Sequence, residues 1–177
     1  MSVALLDVNV LVALFDPAHP NHEDAHRWFG KNRRRGWATC SITINGCVRV
    51  LSNPAYPTVR TTPTEVVARL RILCSDRAHK FWTDSVSLLD ETLFRPEMIT
   101  GPSQITDIHL LALAVRHVGR LATLDRSIPL KAVVGAAPLH LECIGARPAG
   151  GSPSESGHSG PNGLSSRAPR RIVRTPS

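Results

Sequence analysis

The apolar run that opens the chain, Val3 to Phe15, is interrupted by a carboxylate, Asp7, and again by Asn9. Val3 to Leu6 reads as a short buried strand with Asp7 at its carboxyl end. An apolar core would reject that carboxylate unless something paired with it. Asp16 to Pro20 reads as a turn, after which Asn21 is placed to cap a helix with apolar positions Ala25, Trp28 and Phe29, ended by Lys31 to Gly36. Trp37 to Cys40 predicts a second strand, followed by a helix through Asn45, Val48 and Leu51 that Asn53-Pro54 stops. Thr62 and Glu65 have capping-box spacing around Pro63, and Val66, Val67, Leu70 and Leu73 carry the helical period onward. Lys80 to Thr83 suggests a third strand. Thr106 is the expected cap of a further helix, with Asp107 at its first position, Ile108, Leu111, Ala112 and Val115 on one apolar face, and Gly119 ending it. Arg120 to Leu124 predicts a fourth strand and Leu139 to Ile144 a last one. Strands alternating with helices indicate an α/β domain: a central, mostly parallel sheet flanked by helices.

Composition changes the picture after Gly145. Residues 1–145 read as one domain, long enough for a core of its own. From Ala146 to Ser177 the chain is rich in Gly, Ser, Pro and Arg, with Leu164, Ile172 and Val173 its large apolar residues. Such a segment cannot bury enough surface to offset its ordering entropy and is expected to be a disordered tail. Five of the 21 basic residues and one of the 14 acidic residues lie there, so the tail carries more than half of the +7 net charge. The basic balance favours polyanionic partners. Lys31 to Arg35 reads first as cations complementing a helix C-terminus, and otherwise as a phosphate-contacting patch.

Cys40, Cys47, Cys74 and Cys143 form no C-x-x-C pair, which argues against a zinc site and for reduced thiols in a cytoplasmic protein. The opening segment lacks a basic n-region and holds Asp7, a poor match to a signal peptide, and no run is long and apolar enough to predict a membrane span.

Three carboxylates occupy comparable places: Asp7 after the first strand, Asp107 at the start of an apolar helix, Asp125 after the fourth strand. In an open α/β sheet ligands bind at the carboxyl ends of the strands. Three acids converging there would repel one another unless a cation bound between them, which points to metal-assisted phosphoryl chemistry. Taken singly, Asp107 is equally a favourable anion in a first helical turn and Asp125 a turn residue. Asp84, after the third strand, reads mainly as a cap. His22, His109, His117 and His140 have no ligand spacing and read as packing residues.

The order of motifs resembles the PIN domain, and specifically the VapC-type ribonuclease toxins of toxin–antitoxin pairs. The matching stretches are Leu5-Leu-Asp7-Val-Asn9, Asn21-His22 to Ala25 with Trp28, Thr43-Ile44-Asn45-Gly46 through Pro54, Phe81-Trp82, Ile105-Thr106-Asp107 to Ala112, and Leu121 to Arg126. The resemblance implies a Mg²⁺- or Mn²⁺-dependent endoribonuclease. It would use a metal-activated water, be inhibited by a cognate antitoxin, and usually be a homodimer. It assigns the metal site to Asp7, Asp107 and Asp125, with Asn9, Asn45 and Thr123 able to orient those ligands or bind phosphate. The chain departs from the pattern at Ile44, where the family usually carries a Glu. That departure leaves open an alternative, a weakly active or inactive relative that binds RNA or an antitoxin. A phosphatase of the haloacid-dehalogenase type would want a second acid where Asn9 stands.

Overall fold

The structure, a computed structural model, describes residues 2–145. The segment read as a disordered tail lies outside the described residues. Five parallel strands form one sheet in the order β3-β2-β1-β4-β5: β1 (Ala4–Leu6), β2 (Trp37–Cys40), β3 (His79–Trp82), β4 (Arg120–Thr123) and β5 (Leu141–Cys143). The helices are α1 (Val8–Phe15), α2 (His22–Asn32), α3 (Ser41–Leu51), α4 (Pro63–Cys74) and α5 (Ile105–Arg116). The mostly parallel α/β sheet expected from the sequence is thus parallel throughout.

Side chains alternate across the strands, and each face of the sheet has its own core. Ala4 and Leu6 point to one side, where Val10, Leu14, Phe29, Leu51 and Leu70 pack. Leu5 and Leu121 point to the other, against Ile108, Leu111 and Phe94. Each fully buried Leu or Phe contributes about 1.5–3 kcal/mol by leaving water. α5 is buried nearly all round, from Ile108 and through Leu110 to Ala114, rather than along a single face.

Several boundaries differ from the expectation for local reasons. α1 has no readable period because Val10 to Leu14 are all buried, so the apolar run holds a strand and a helix joined at Asp7. α5 starts at Ile105, preceded by a 3₁₀ turn, Pro102–Gln104; Thr106 is therefore inside the helix and Asp107 is its third residue. Asn21 precedes α2 but its side chain makes no capping hydrogen bond. The basic Arg33–Arg35 forms an exposed 3₁₀ turn after α2, with Arg33 paired to Asp76 at 3.2 Å. α5 ends at Arg116, and Val118 takes the left-handed conformation instead of Gly119. Gly119 is needed for space: a Cβ there would come 2.7 Å from the Val3 carbonyl oxygen and 2.5 Å from the Trp82 ring. The capping box forms as expected, with Thr62 Oγ1 accepting from the Glu65 N–H and the Glu65 carboxylate accepting from the Thr62 N–H.

Strand order turns around β1: the chain steps from β1 outward to β2 and β3, then returns to place β4 on the other side of β1. That reversal opens a crevice beyond the carboxyl ends of β1 and β4, the usual ligand position in an open parallel sheet.

Candidate active site

Asp7 is the first residue beyond β1 and the N-cap of α1; its Oδ1 accepts from the Val8 N–H at 2.6 Å. It is 3% exposed. From the neighbouring strand Thr123 donates its hydroxyl to Asp7 Oδ2 at 2.6 Å. The same hydroxyl oxygen accepts from the Asn9 amide at 3.1 Å and from the Asp125 N–H at 3.0 Å. Asn9 Oδ1 in turn accepts from the Leu124 N–H at 3.1 Å. Asn9, Thr123 and Asp7 therefore lock the end of β1 to the end of β4, and the loop carrying Asp125 is tied to the same hydroxyl.

Burial pushes the Asp7 carboxyl above its ordinary value, against the hydrogen bonds from Thr123 and Val8, and the Asp125 charge adds to the rise. Asp107, half-buried in the first turn of α5, is raised to about 6 by burial and then by the charges of Asp7 and Asp125, with no hydrogen bond to offset them. Asp125 is held below its usual range by the backbone N–H and hydroxyl of Ser127, both 2.7 Å from Oδ1. The charges of Asp7 and Asp125 thus bear on Asp107, and that of Asp125 on Asp7.

A cleft of about 900 Å³ opens at Asp7 and Asp107. It runs along α1, where Val8, Val12 and Asp16 line it at helical spacing, and along α3, where Ser41, Asn45 and Arg49 do the same. Eight residues of helix give it a length of about 12 Å. Asn45 is exposed on that wall. Ile44 is half-buried, packs on the core beneath α3 and faces a smaller neighbouring hollow. Asp84 pairs with His109 at 3.1 Å and does not line the cleft. His22 and His26 bond the Ala13 and Leu14 carbonyls near the end of α1, and His117 stacks on Trp82. The four cysteines are free thiols.

One residue of the cleft was read only as part of a turn. Asp16 is wholly buried and accepts from the Ala18 N–H at 2.9 Å, the Tyr56 hydroxyl at 2.8 Å and the Thr58 hydroxyl at 2.5 Å. Burial alone would raise its pKa, but these donors outweigh burial and lower it. Its partners lie 40 and 42 residues away, so no local pattern marks it. Tyr56, the single tyrosine of the chain, set between Ala55 and Pro57, was the available signal.

A family model described as the PIN domain matches residues 4–134, which takes in the strands β1 to β4, the whole cleft and all three aspartates. The chain belongs to the PIN domain family. Its relatives place it among the VapC-type members of that family. Ribonuclease VapC44 of Mycobacterium tuberculosis is 48% identical over 144 residues, 80% of this chain and 99% of the relative. Ribonuclease VapC39 of the same organism is 42% identical over 132 residues, 75% of this chain and 95% of that protein. A solved structure of the M. tuberculosis toxin VapC20 aligns over 66% of this chain and 85% of its own, with a TM-score of 0.48 and 11% identity, a distant likeness.

Among the described residues no three of His, Cys, Asp or Glu stand close enough to chelate an ion as they are. The donor set nevertheless fits a hard divalent cation: all three acids offer carboxylate oxygens, and among the described residues none donates to Asp107. Among the described residues no helix is long and apolar enough to cross a membrane.

Proposed function

We propose that this PIN domain is a Mg²⁺- or Mn²⁺-dependent endoribonuclease, the toxin of a toxin–antitoxin pair, which hydrolyses RNA phosphodiester bonds. Its partners are RNA, a cognate antitoxin and a second copy of the chain. The observation that carries the reading is Asp107. This half-buried carboxylate, to which none of the described residues donates, lines a cleft large enough for a nucleotide together with the anchored Asp7, whose charge it senses. Asp7, Asp107 and Asp125 would hold the cation, which when bound supplies a nucleophilic water at neutral pH and charge stabilisation at the phosphate. The residues of the chain do the positioning. Thr123 and Val8 hold the Asp7 carboxylate in one orientation, and Asn9 fixes Thr123. Asp125 is kept ionised by Ser127. Arg49, exposed along the cleft wall, offers a cation to the incoming phosphate chain. Ile44 leaves the site without a carboxylate from α3, and Asn45 is the polar group that α3 presents beside it.

Purified protein incubated with RNA should cleave it in Mn²⁺ or Mg²⁺ and not in EDTA. Asp107→Asn keeps the side-chain shape and removes a charge. It should abolish cleavage while the circular dichroism spectrum stays unchanged. Wild-type cleavage by Asp107→Asn, or cleavage in EDTA, would overturn the assignment.

A further inference from the structure

The cleft is far larger than a cation and one phosphate require. It extends two turns of α1 beyond Asp7, to a wall formed by the turn after α1 and the connection between α3 and α4. His19 and Pro20 come from the first of these segments, Tyr56 and Pro57 from the second. Asp16 joins the two beneath the surface. It accepts from Ala18 on one side and from Tyr56 and Thr58 on the other. All three partners are donors, and a buried ionised carboxylate is an acceptor throughout. The clamp is therefore complete without a ligand, and the wall is preorganised.

The clamp also decides what Tyr56 can offer. Its hydroxyl is committed to Asp16, so what remains for the cleft is the aromatic ring. In the same lining stand the rings of Pro57 and Pro20, both exposed to solvent. Flat, largely apolar rings in one cleft with a cation, Arg49, match an unstacked nucleobase with its phosphate, the form in which single-stranded RNA is read.

We propose that this end of the cleft is a nucleobase subsite: the Tyr56 ring with Pro57 and Pro20 stacks one base of the strand that runs on from the scissile phosphate, Arg49 meets a phosphate between the two, and Asp16 is the positioning residue that holds the wall. The proposal rests on the nuclease reading for what lies at the Asp7 end. It makes a separate demand: one nucleotide of the bound strand must owe its affinity to its base through Tyr56.

The test is binding, measured by fluorescence anisotropy in EDTA on Asp107→Asn protein, which lacks one of the repelling charges and is kept free of metal. The probe is a set of oligoribonucleotides of one sequence, each carrying a single abasic residue at a different position. With Tyr56 present, one position should lose about 10- to 100-fold in affinity when its base is removed. Tyr56→Ala should erase the penalty at that position and leave the others as they were. Tyr56→Phe, which keeps the ring, should preserve it. Asp16→Asn should weaken the same position and no other, which general destabilisation would not do. If Tyr56→Ala fails to unfold cooperatively, Tyr56→Leu keeps the bulk without the ring and must give the same erasure. A penalty that survives Tyr56 replacement, no position with a penalty, or no RNA binding at all would overturn the subsite. Cleavage by the wild-type protein in Mn²⁺ is scored apart; its absence would sink the nuclease reading and leave the base-position pattern to be judged by itself.

Discussion

Thr123 is the residue on which its neighbours depend: one hydroxyl donates to Asp7 and accepts from Asn9 and Asp125. Thr123→Val keeps the shape and removes all three bonds. Outer partners of metal-binding groups typically matter by about 10- to 100-fold, so Mn²⁺ affinity by calorimetry should fall within that range. Leaving Asp7 buried and short of a donor should also cost about 1–3 kcal/mol in urea unfolding. Asp107 gives a pH dependence in the metal-free protein. Its folded pKa of about 6 lies above its ordinary 3.8, so between those values the folded state binds more protons than the unfolded one. Its contribution therefore makes the fold more stable as pH falls from 7 to 5, while His79, whose pKa burial depresses, works the other way. Melting temperatures in EDTA should show the wild-type curve gaining on Asp107→Asn across that window; parallel curves would refute the shift. The places of the three aspartates in the fold were legible in the sequence because each stands where a strand ends or a helix begins. Asp16 was not, since its meaning depends on Tyr56 and Thr58, which only the tertiary fold brings to it.

At the scale of elements, α1 and α3 form the two long walls of the cleft, and Gly46 sets how closely they approach. A Cβ at Gly46 would lie 2.5 Å from Val8 Cγ2, and Val8 adjoins Asp7. Alanine is favoured over glycine inside a helix by about 1 kcal/mol, yet overpacking costs about 1–3 kcal/mol. Gly46→Ala should therefore lower the melting temperature and weaken RNA cleavage together; a stabilised, fully active variant would show that the helices can part freely. The Thr62 cap lies away from the cleft. Thr62→Ala should cost about 1 kcal/mol in denaturant unfolding and leave cleavage unchanged. The contrast between α4 and α1 shows what a sequence discloses. α4 carries its start signal within four residues, Thr62 to Glu65, and was read correctly from its cap onward. α1 follows β1 directly at Asp7, where the strand was read to end, but Val10 to Leu14 are all buried, so no period marked the residues after Asp7 as a helix. The start of α5 was misplaced because the 3₁₀ turn Pro102–Gln104 runs straight into the helix and takes over the role expected of Thr106.

At the scale of the molecule, residues 2–145 hold the whole sheet, both cores and every proposed ligand. Ile144, the last large core residue described, packs against the face shared with α1. Truncation after Gly145 should leave a cooperatively folding protein with the same metal requirement. Losing the tail's five arginines should weaken RNA binding chiefly at low salt, read as a shallower slope of log affinity against log salt. An unfolded truncation product would refute the boundary. The placing of β4 beside β1 has a consequence for synthesis. Asp7 is made among the first residues, but Thr123 and Asp125 arrive more than a hundred residues later, and long-range parallel pairing is slow to form. A ribosome that has released only the chain up to Gly119 has made three strands, five helices and two acids of three, but neither Thr123, which holds Asp7, nor Asp125. A cell that translates this chain would meet the proposed nuclease only once the fourth strand has been delivered.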